Sequence, residues 1–305
     1  RDNCEPSIDN TQDDEYAALV EVYLAALKLG QTSDAASFKS QVTAHPRFNE
    51  VSSFWWGAVT SEGSLSLLTN EALHDIDLTN LKANVLAKAD SIIANQQGGY
   101  PGVTWDPNSN QWDNGDQDNA DNNVRWGSHR NALNDARILM AASHVAAGDA
   151  ARAHYARQAI TVLDHIAGLN AMALTMFTTG GYTGYEHAVT RTHDGADGSD
   201  QWPGKMVLGP NNWTNADDGA MPAFNSQPGL KMFAVTGTGW ASREISIDAN
   251  AALVPVAYFA TEVAPAMLAA APLGNTAAPT NAPAAPSALV ATANGVDIAI
   301  SWQDN

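Results

Sequence analysis

Runs of helical periodicity, joined by links of very unequal length, restrict this chain more than any other feature. Between 13 and 29, Tyr16, Leu19, Val20, Tyr23, Leu24 and Leu27 recur at the spacing of one helix face, and Gly30 follows as a stop signal. Further helices are expected over 34–44, over 54–69 with Trp55 and Trp56 at its entry, and around Leu81, Val85, Leu86, Ala89, Ile92 and Ile93. Two more are expected over 129–147, lined by Leu133, Ala136 and Met140, and over 151–168, lined by Tyr155, Ala159, Val162 and Ile166. The last runs from 244 to 268, with Leu253, Val256, Ala260, Val263 and Met267 inward. Gly30–Ser33 and Gly148–Ala150 are tight turns of helical hairpins. The links 95–128 and 169–242 are far longer than compact domains ordinarily use, and such loops are commonly functional. Short turns at one end and long loops at the other describe an all-α helical toroid with a loop-built face. Nothing in the pattern asks for a parallel sheet.

Composition narrows the partners. The chain has 305 residues, 45% of them hydrophobic, which excludes disorder. Lys and Arg number 15 against 33 Asp and Glu, a net charge of −18, so no general basic field is available for nucleic acid or an anionic membrane. No run approaches the roughly 18 uninterrupted apolar residues of a membrane span. Cys4, as a single cysteine, makes neither an intrachain disulfide nor a thiolate zinc site. Residues 271–286 carry no charge and are rich in Ala and Pro, as extended linkers are. Beyond them Val296, Ile298, Ile300 and Trp302 alternate with smaller or polar residues, as in a strand pair opening a β-module. The segment 287–305 is too short to close a β-sandwich, which takes roughly 100 residues. The opening Arg-Asp-Asn-Cys has no initiating Met or signal peptide, and both termini read as truncated or processed.

Several residues could carry chemistry. Tyr100, Trp105, Trp112, Trp126, Tyr182, Tyr185, Trp202, Trp213 and Trp240 crowd the long loops. Indole and phenol rings anchor loops, and they also stack against the apolar face of a sugar. His187 and His193 flank Arg191, a set suited to hydrogen-bonding sugar hydroxyls. Asp113, Asp116, Asp118 and Asp121 suggest calcium, but an EF-hand register from Asn114 puts Asn119 at the glycine position and Arg125 at the bidentate glutamate, so a solvated turn is the better account. Gly237-Thr-Gly239-Trp-Ala-Ser242 lacks the third glycine of a dinucleotide fingerprint and no second strand follows its helix. The histidines show no metal-ligand spacing; His144, His154 and His165 lie in helices as packed or surface residues. Glu244 opens the last helix just after a long loop, either as an acid favoured by the helix dipole or as a proton donor facing a cleft.

These pieces, in this order, resemble glycoside hydrolase family 9, the inverting cellulases with an (α/α)6 barrel. Asp13-Asp14-Glu15-Tyr16-Ala17-Ala18 resembles the family's D-D-E-x-x-W-A-A. Trp126-Gly127-Ser128-His129 is similar to W-G-S-N, with His129 in place of Asn. Asp164-His165-Ile166-Ala167-Gly168-Leu169-Asn170 is similar to D-Y-I-L-G-x-N. The run from Pro203 and Gly204 through Val207, Leu208, Gly209, Pro210 and Asn211 is close to P-G-x-L-V-G-G-P-N, and Lys231-Met232-Phe233 to K-M/C-Y. Ser242-Arg243-Glu244-Ile245, with Ile247, Asn250, Leu253 and Val254, resembles S-N-E-I-x-I-N-W-N-A-P-L-V.

The resemblance implies an all-α, partial (α/α)6 barrel of helical hairpins over 1–270, a linker at 271–286, and a short β-strand tail from a truncated fibronectin type III-like sandwich at 287–305. It implies inverting hydrolysis of β-1,4-bonds in cellulose or related β-glucans, with Glu244 as general acid. Arg191 takes the place of the sugar-contacting Arg of the family's H-H-R motif, but Val189 and Thr190 stand where its His pair would be. His187, His193, Trp126, Trp240 and Tyr185 are the other expected substrate contacts. Asp14 and Glu15 match carboxylates that hold a structural calcium in some members, while Gly57 replaces a further Asp; no cofactor is needed for catalysis. The family's base, the Asp of D-A-G-D, has no counterpart, since Asp194-Gly-Ala-Asp197 scrambles the order. The chain is therefore expected to be the C-terminal part of the catalytic domain, inactive and poorly stable by itself, and to come from a secreted or periplasmic, monomeric enzyme. The competing readings are a carbohydrate-binding toroid without catalysis, a toroid that binds a protein partner, and an exo-acting β-glucosidase or glucosaminidase of the same fold.

Overall fold

A computed structural model describes residues 11–53, 59–97, 127–178, 181, 184, 186–187, 204–210, 229–231, 233, 240–272, 287–294 and 297–303. It divides into two compact units, 1–270 and 271–305.

The first unit is built of helices. Helix α1 (Gln12–Lys28) and α2 (Thr32–Ala44) form a hairpin, and α1 also packs on α3 (Thr60–Thr69). The α1–α3 approach is close because Gly63 faces Ala17 and Tyr16: a Cβ there would stand 3.1 Å from the Ala17 Cα. Tyr16 is fully buried at this crossing, its hydroxyl 3.4 Å from Ser64 Oγ. Helix α4 (Thr79–Gln97) leads towards α5 (Ser128–Val145), which pairs with α6 (Asp149–Ala167) through the three-residue turn at Gly148. Thus α3 begins at Thr60; the earlier part of the expected helix, with Trp55 and Trp56, lies outside the described residues.

Helix α5 is the centre of the array, touching α3, α4, α6 and α8. Its apolar face is closed off entirely, with Leu133, Ala136, Ile138, Leu139 and Ala142 at 0% exposure. The pattern predicts one buried face, yet every residue from Ser128 to Ala136 is buried, polar ones included. A helix surrounded by other elements must bury its polar side too, and those groups then need partners. Asp135 accepts a hydrogen bond of 2.7 Å from the Ser53 hydroxyl.

The chain end of this unit differs from expectation. Instead of one helix from 244, there is a single turn, α7 (Trp240–Arg243), then α8 (Ile247–Tyr258), a π-helical turn (Phe259–Val263) and α9 (Ala264–Ala270). Ser246 is the N-cap of α8, its hydroxyl accepting from the Ala249 amide at 3.3 Å. The wide turn precedes Pro265, which has no amide proton for the regular ladder. The run Ile247–Ala270 is long and apolar enough, by length and composition, to cross a bilayer, although Asp248 and Glu262 interrupt it. Here α8 packs on α5 and α9 on α6, burying Ala249, Ala252, Val256, Phe259 and Ala264, while Ile247, Val254 and Tyr258 stay exposed.

The long link 169–242 holds a second correction. A two-residue parallel pair joins β1 (Leu174–Thr175) to β2 (Glu186–His187). In the second unit, β3 (Ser287–Asn294) and β4 (Asp297–Gln303) pair antiparallel, with a register irregularity between Ser287 and Val290.

Leu133→Ala should cost about 2–5 kcal/mol of stability by urea unfolding, because the cavity opens where α5 is surrounded. Ile247→Ala, at a side chain 90% exposed, should stay within about 0.5 kcal/mol of the parent.

Candidate active site

An extended segment, Lys205–Gly209, organises the loop-bearing end of the first unit. Backbone amides and carbonyls buried away from water have to be paired, and this segment finds its partners on three sides. Towards the loop, Val207 N donates to Met176 O at 3.1 Å and Thr178 N to Lys205 O at 2.9 Å, with Phe177 and Met206 bridged antiparallel. Towards α5, His129 N donates to Leu208 O at 3.0 Å and the Ser128 hydroxyl to the same oxygen at 3.3 Å. Towards the α7–α8 junction, Leu208 N donates to Glu244 O at 3.2 Å and Gly209 N to Ser242 O at 2.9 Å.

Glu244 accordingly stands outside the last helix, three residues ahead of α8, half-buried and bound through its backbone to Leu208. It engages a further group within the protein. The first turn of α8 holds a different carboxylate, Asp248, which receives Arg130 Nη1 at 2.9 Å across from α5. Burial works against the Asp248 anion, but the Ser246 hydroxyl and the Arg130 guanidinium outweigh it and hold this acid below the usual carboxylate range. Arg130 itself donates through Nε to Asn131 Oδ1 at 3.1 Å and lies under Gly127, where a Cβ would stand 2.8 Å from Nη2. Gly127 has φ +80°, so this close approach and the left-handed backbone both call for glycine.

His129 occupies the floor of this junction at 1% exposure. Its Nδ1 lies 3.0 Å from Val207 O; a carbonyl only accepts, so Nδ1 carries the proton and Nε2 is the bare nitrogen. Nε2 is buried and has no hydrogen-bond partner among the described residues. The ring meets His165 edge-on, centroids 5.8 Å apart. Gly209 presses on its other side: a Cβ there would fall 2.6 Å from His129 Nε2, and φ is +93°. Burial pushes the imidazole down to about 4, only partly countered by the Val207 carbonyl.

His187 lies on β2, exposed, and its Nδ1 donates to Phe177 O at 3.1 Å. It therefore hangs from Phe177, whose backbone bridges Met206. Arg191, His193, Trp126 and Tyr185 lie outside the described residues, as does the Trp240 side chain, whose backbone opens α7. Asp14 and Glu15 are exposed on α1, the Glu15 carboxylate 4.0 Å from His45 Nε2. Asp13 spends one oxygen on the Val59 amide at 2.9 Å. Among the described residues no group of three or more His, Cys, Asp or Glu could hold a metal. No step below uses a metal at Asp14 and Glu15.

The sequence reading missed His129 as a buried hinge of the site, the Arg130–Asp248 pair, and Asn250, whose amide binds the backbone of Met206. A signal was present for the first, since His129 stands where the family motif has Asn. Asn250 likewise keeps an Asn of the motif around Glu244, whereas nothing marked the Arg130–Asp248 pair, because a polar residue in a helix normally faces water.

The chain belongs to Glycosyl hydrolase family 9, whose profile matches residues 3–257. Several solved structures share its fold, three of which follow. A metagenome-derived family 9 endoglucanase is 23% identical with TM-score 0.59, matching 83% of this chain and 41% of its own. A single-substitution variant of a thermostable endoglucanase from Alicyclobacillus acidocaldarius is 18% identical with TM-score 0.59, over 83% and 44%. AaCel9A in complex with cellobiose-like isofagomine is 19% identical with TM-score 0.58, over 85% and 44%. The chain thus spans 41–44% of the length of these structures. No curated protein matches it.

The neutral His129 fixes a pH dependence. Its folded pKa, about 4, lies below the ordinary 6.5. Above pH 6.5 both folded and unfolded states hold it neutral and stability is unaffected. As pH falls from 6.5 towards 4 the unfolded chain takes the proton first, and up to about 3 kcal/mol of stability is lost. His129→Asn should flatten this part of the stability–pH curve in chemical denaturation. Gly209→Ala should lower the melting temperature at every pH, since the added methyl meets the imidazole and the left-handed backbone is strained.

Proposed function

We propose that this chain is the C-terminal part of an inverting family 9 hydrolase of β-1,4-glucans, with Glu244 as its general acid and the Asp base supplied by a part of the domain that this sequence does not contain. Family membership supports the reaction class. What supports the residue assignment is the match of the run around Glu244 to the family motif, together with the backbone anchoring of Glu244 and Ser242 to Leu208 and Gly209.

The reaction is a single displacement. Glu244 gives its proton to the glycosidic oxygen as the C1–O bond breaks. A water, deprotonated by the opposing carboxylate, forms the new C1–O bond from the other face of the ring. The leaving sugar gains a hydroxyl, the configuration at C1 inverts, Glu244 ends as carboxylate and the base ends protonated. The two carboxyl groups stand roughly 6.5–9.5 Å apart to admit that water. Arg191, His187 and His193 hydrogen-bond sugar hydroxyls, and Trp126, Trp240 and Tyr185 offer stacking surfaces. Residues 287–305 open a fibronectin type III-like appendage, and the enzyme works as a secreted or periplasmic monomer.

In the complete enzyme, Glu244→Gln should lower kcat on cello-oligosaccharides by roughly 10²–10⁴ with little change in binding. The first product seen by proton NMR should be the α-anomer. Undiminished turnover by the variant would remove Glu244 from the role, and a β-anomer would exclude inversion.

A further inference from the structure

We infer that Asn250 is a positioning residue for Glu244, an inference that rests on the acid role proposed above. Asn250 lies one turn into α8, and its side chain turns back towards the extended segment. Its Oδ1 accepts from Met206 N at 2.9 Å; its Nδ2 donates to Met206 O at 3.1 Å and to Ser246 O at 3.0 Å. The carboxamide therefore pairs with Met206 as a neighbouring strand would, and with its second proton takes hold of Ser246.

The consequence for Glu244 is geometric. The connector Glu244–Ser246 is bound to the extended segment at its near end, where Leu208 N meets Glu244 O. At its far end Ser246 O is joined to Met206 O through the two protons of one amide group. Two residues of the segment thus hold both ends of a three-residue connector, and Asn250 belongs to α8, which packs against α5. Position is passed from the helix array to the Glu244 backbone through this amide. The Arg130–Asp248 pair braces the same helix start from α5. A carboxyl that must deliver a proton in the transition state gains from such fixing, because misplacement by about 1 Å can cost 10²-fold in rate.

The test compares Asn250→Ala with Glu244→Gln in the complete enzyme on two substrates. Cellotetraose has a poor leaving group that needs the acid; dinitrophenyl β-cellobioside has a good one that does not. With Asn250→Ala folded by circular dichroism, kcat on cellotetraose should fall about 10²-fold with KM little changed, and the loss on the aryl substrate should be much smaller. If Asn250→Ala does not fold, Asn250→Asp keeps the volume and the acceptor but loses both donated bonds, and the same leaving-group dependence is expected. Equal losses on both substrates, or no loss, overturn the inference while Glu244→Gln keeps its own leaving-group dependence. Full turnover by Glu244→Gln overturns the acid assignment and this inference with it.

Discussion

The extended segment Lys205–Gly209 is the constraint on which the rest of the site depends. It belongs to no regular sheet, so its amides and carbonyls cannot be satisfied by a ladder of neighbours. They are satisfied one at a time by α5, by the loop around Met176 and by the α7–α8 junction. Three regions distant in sequence are thereby bound to one short strand. Moving any one of them exposes a buried backbone group at a cost of roughly 1–3 kcal/mol, so they hold each other in register.

The same requirement explains why α5 is polar where it is most buried. Ser128 and His129 bind the carbonyls of Leu208 and Val207, and Arg130 reaches Asp248 at the start of α8. An apolar first turn would fill the volume but leave those groups without partners. Glycine completes the fit: Gly209 and Gly127 each stand where a Cβ would enter the neighbouring His129 or Arg130 side chain.

Much of this was legible in the sequence. The helix periods locate α1, α2, α4, α5 and α6 within a few residues, because each has one continuous apolar face. The run through Val207, Leu208 and Gly209 and the run around Glu244 were both visible as family motifs. Their meeting was not, since hydrogen bonds between backbone atoms leave no mark on residue type. The all-round burial of α5 was equally hidden: Asn134 and Asp135 look like a solvent face until the surrounding elements are in place. The end of the chain was misread for a related reason. An apolar run through 244–268 suggests one helix, but Ser246 is a cap, and a cap signal is a single residue easily lost in a hydrophobic stretch.

The displaced helix start changes the electrostatics of the two carboxylates there. A helix N-terminus favours an anion, and the effect fades within the first turn. Had Glu244 opened the helix, the dipole would have acted on its carboxylate. Instead Asp248 occupies the first turn and, with Ser246 and Arg130, is held as the anion. Glu244 stands three residues outside, beyond the cap, where its backbone is fixed and the dipole is weak. The carboxylate that meets the helix start is therefore Asp248, four positions along from Glu244, and its partners come from the cap and from α5.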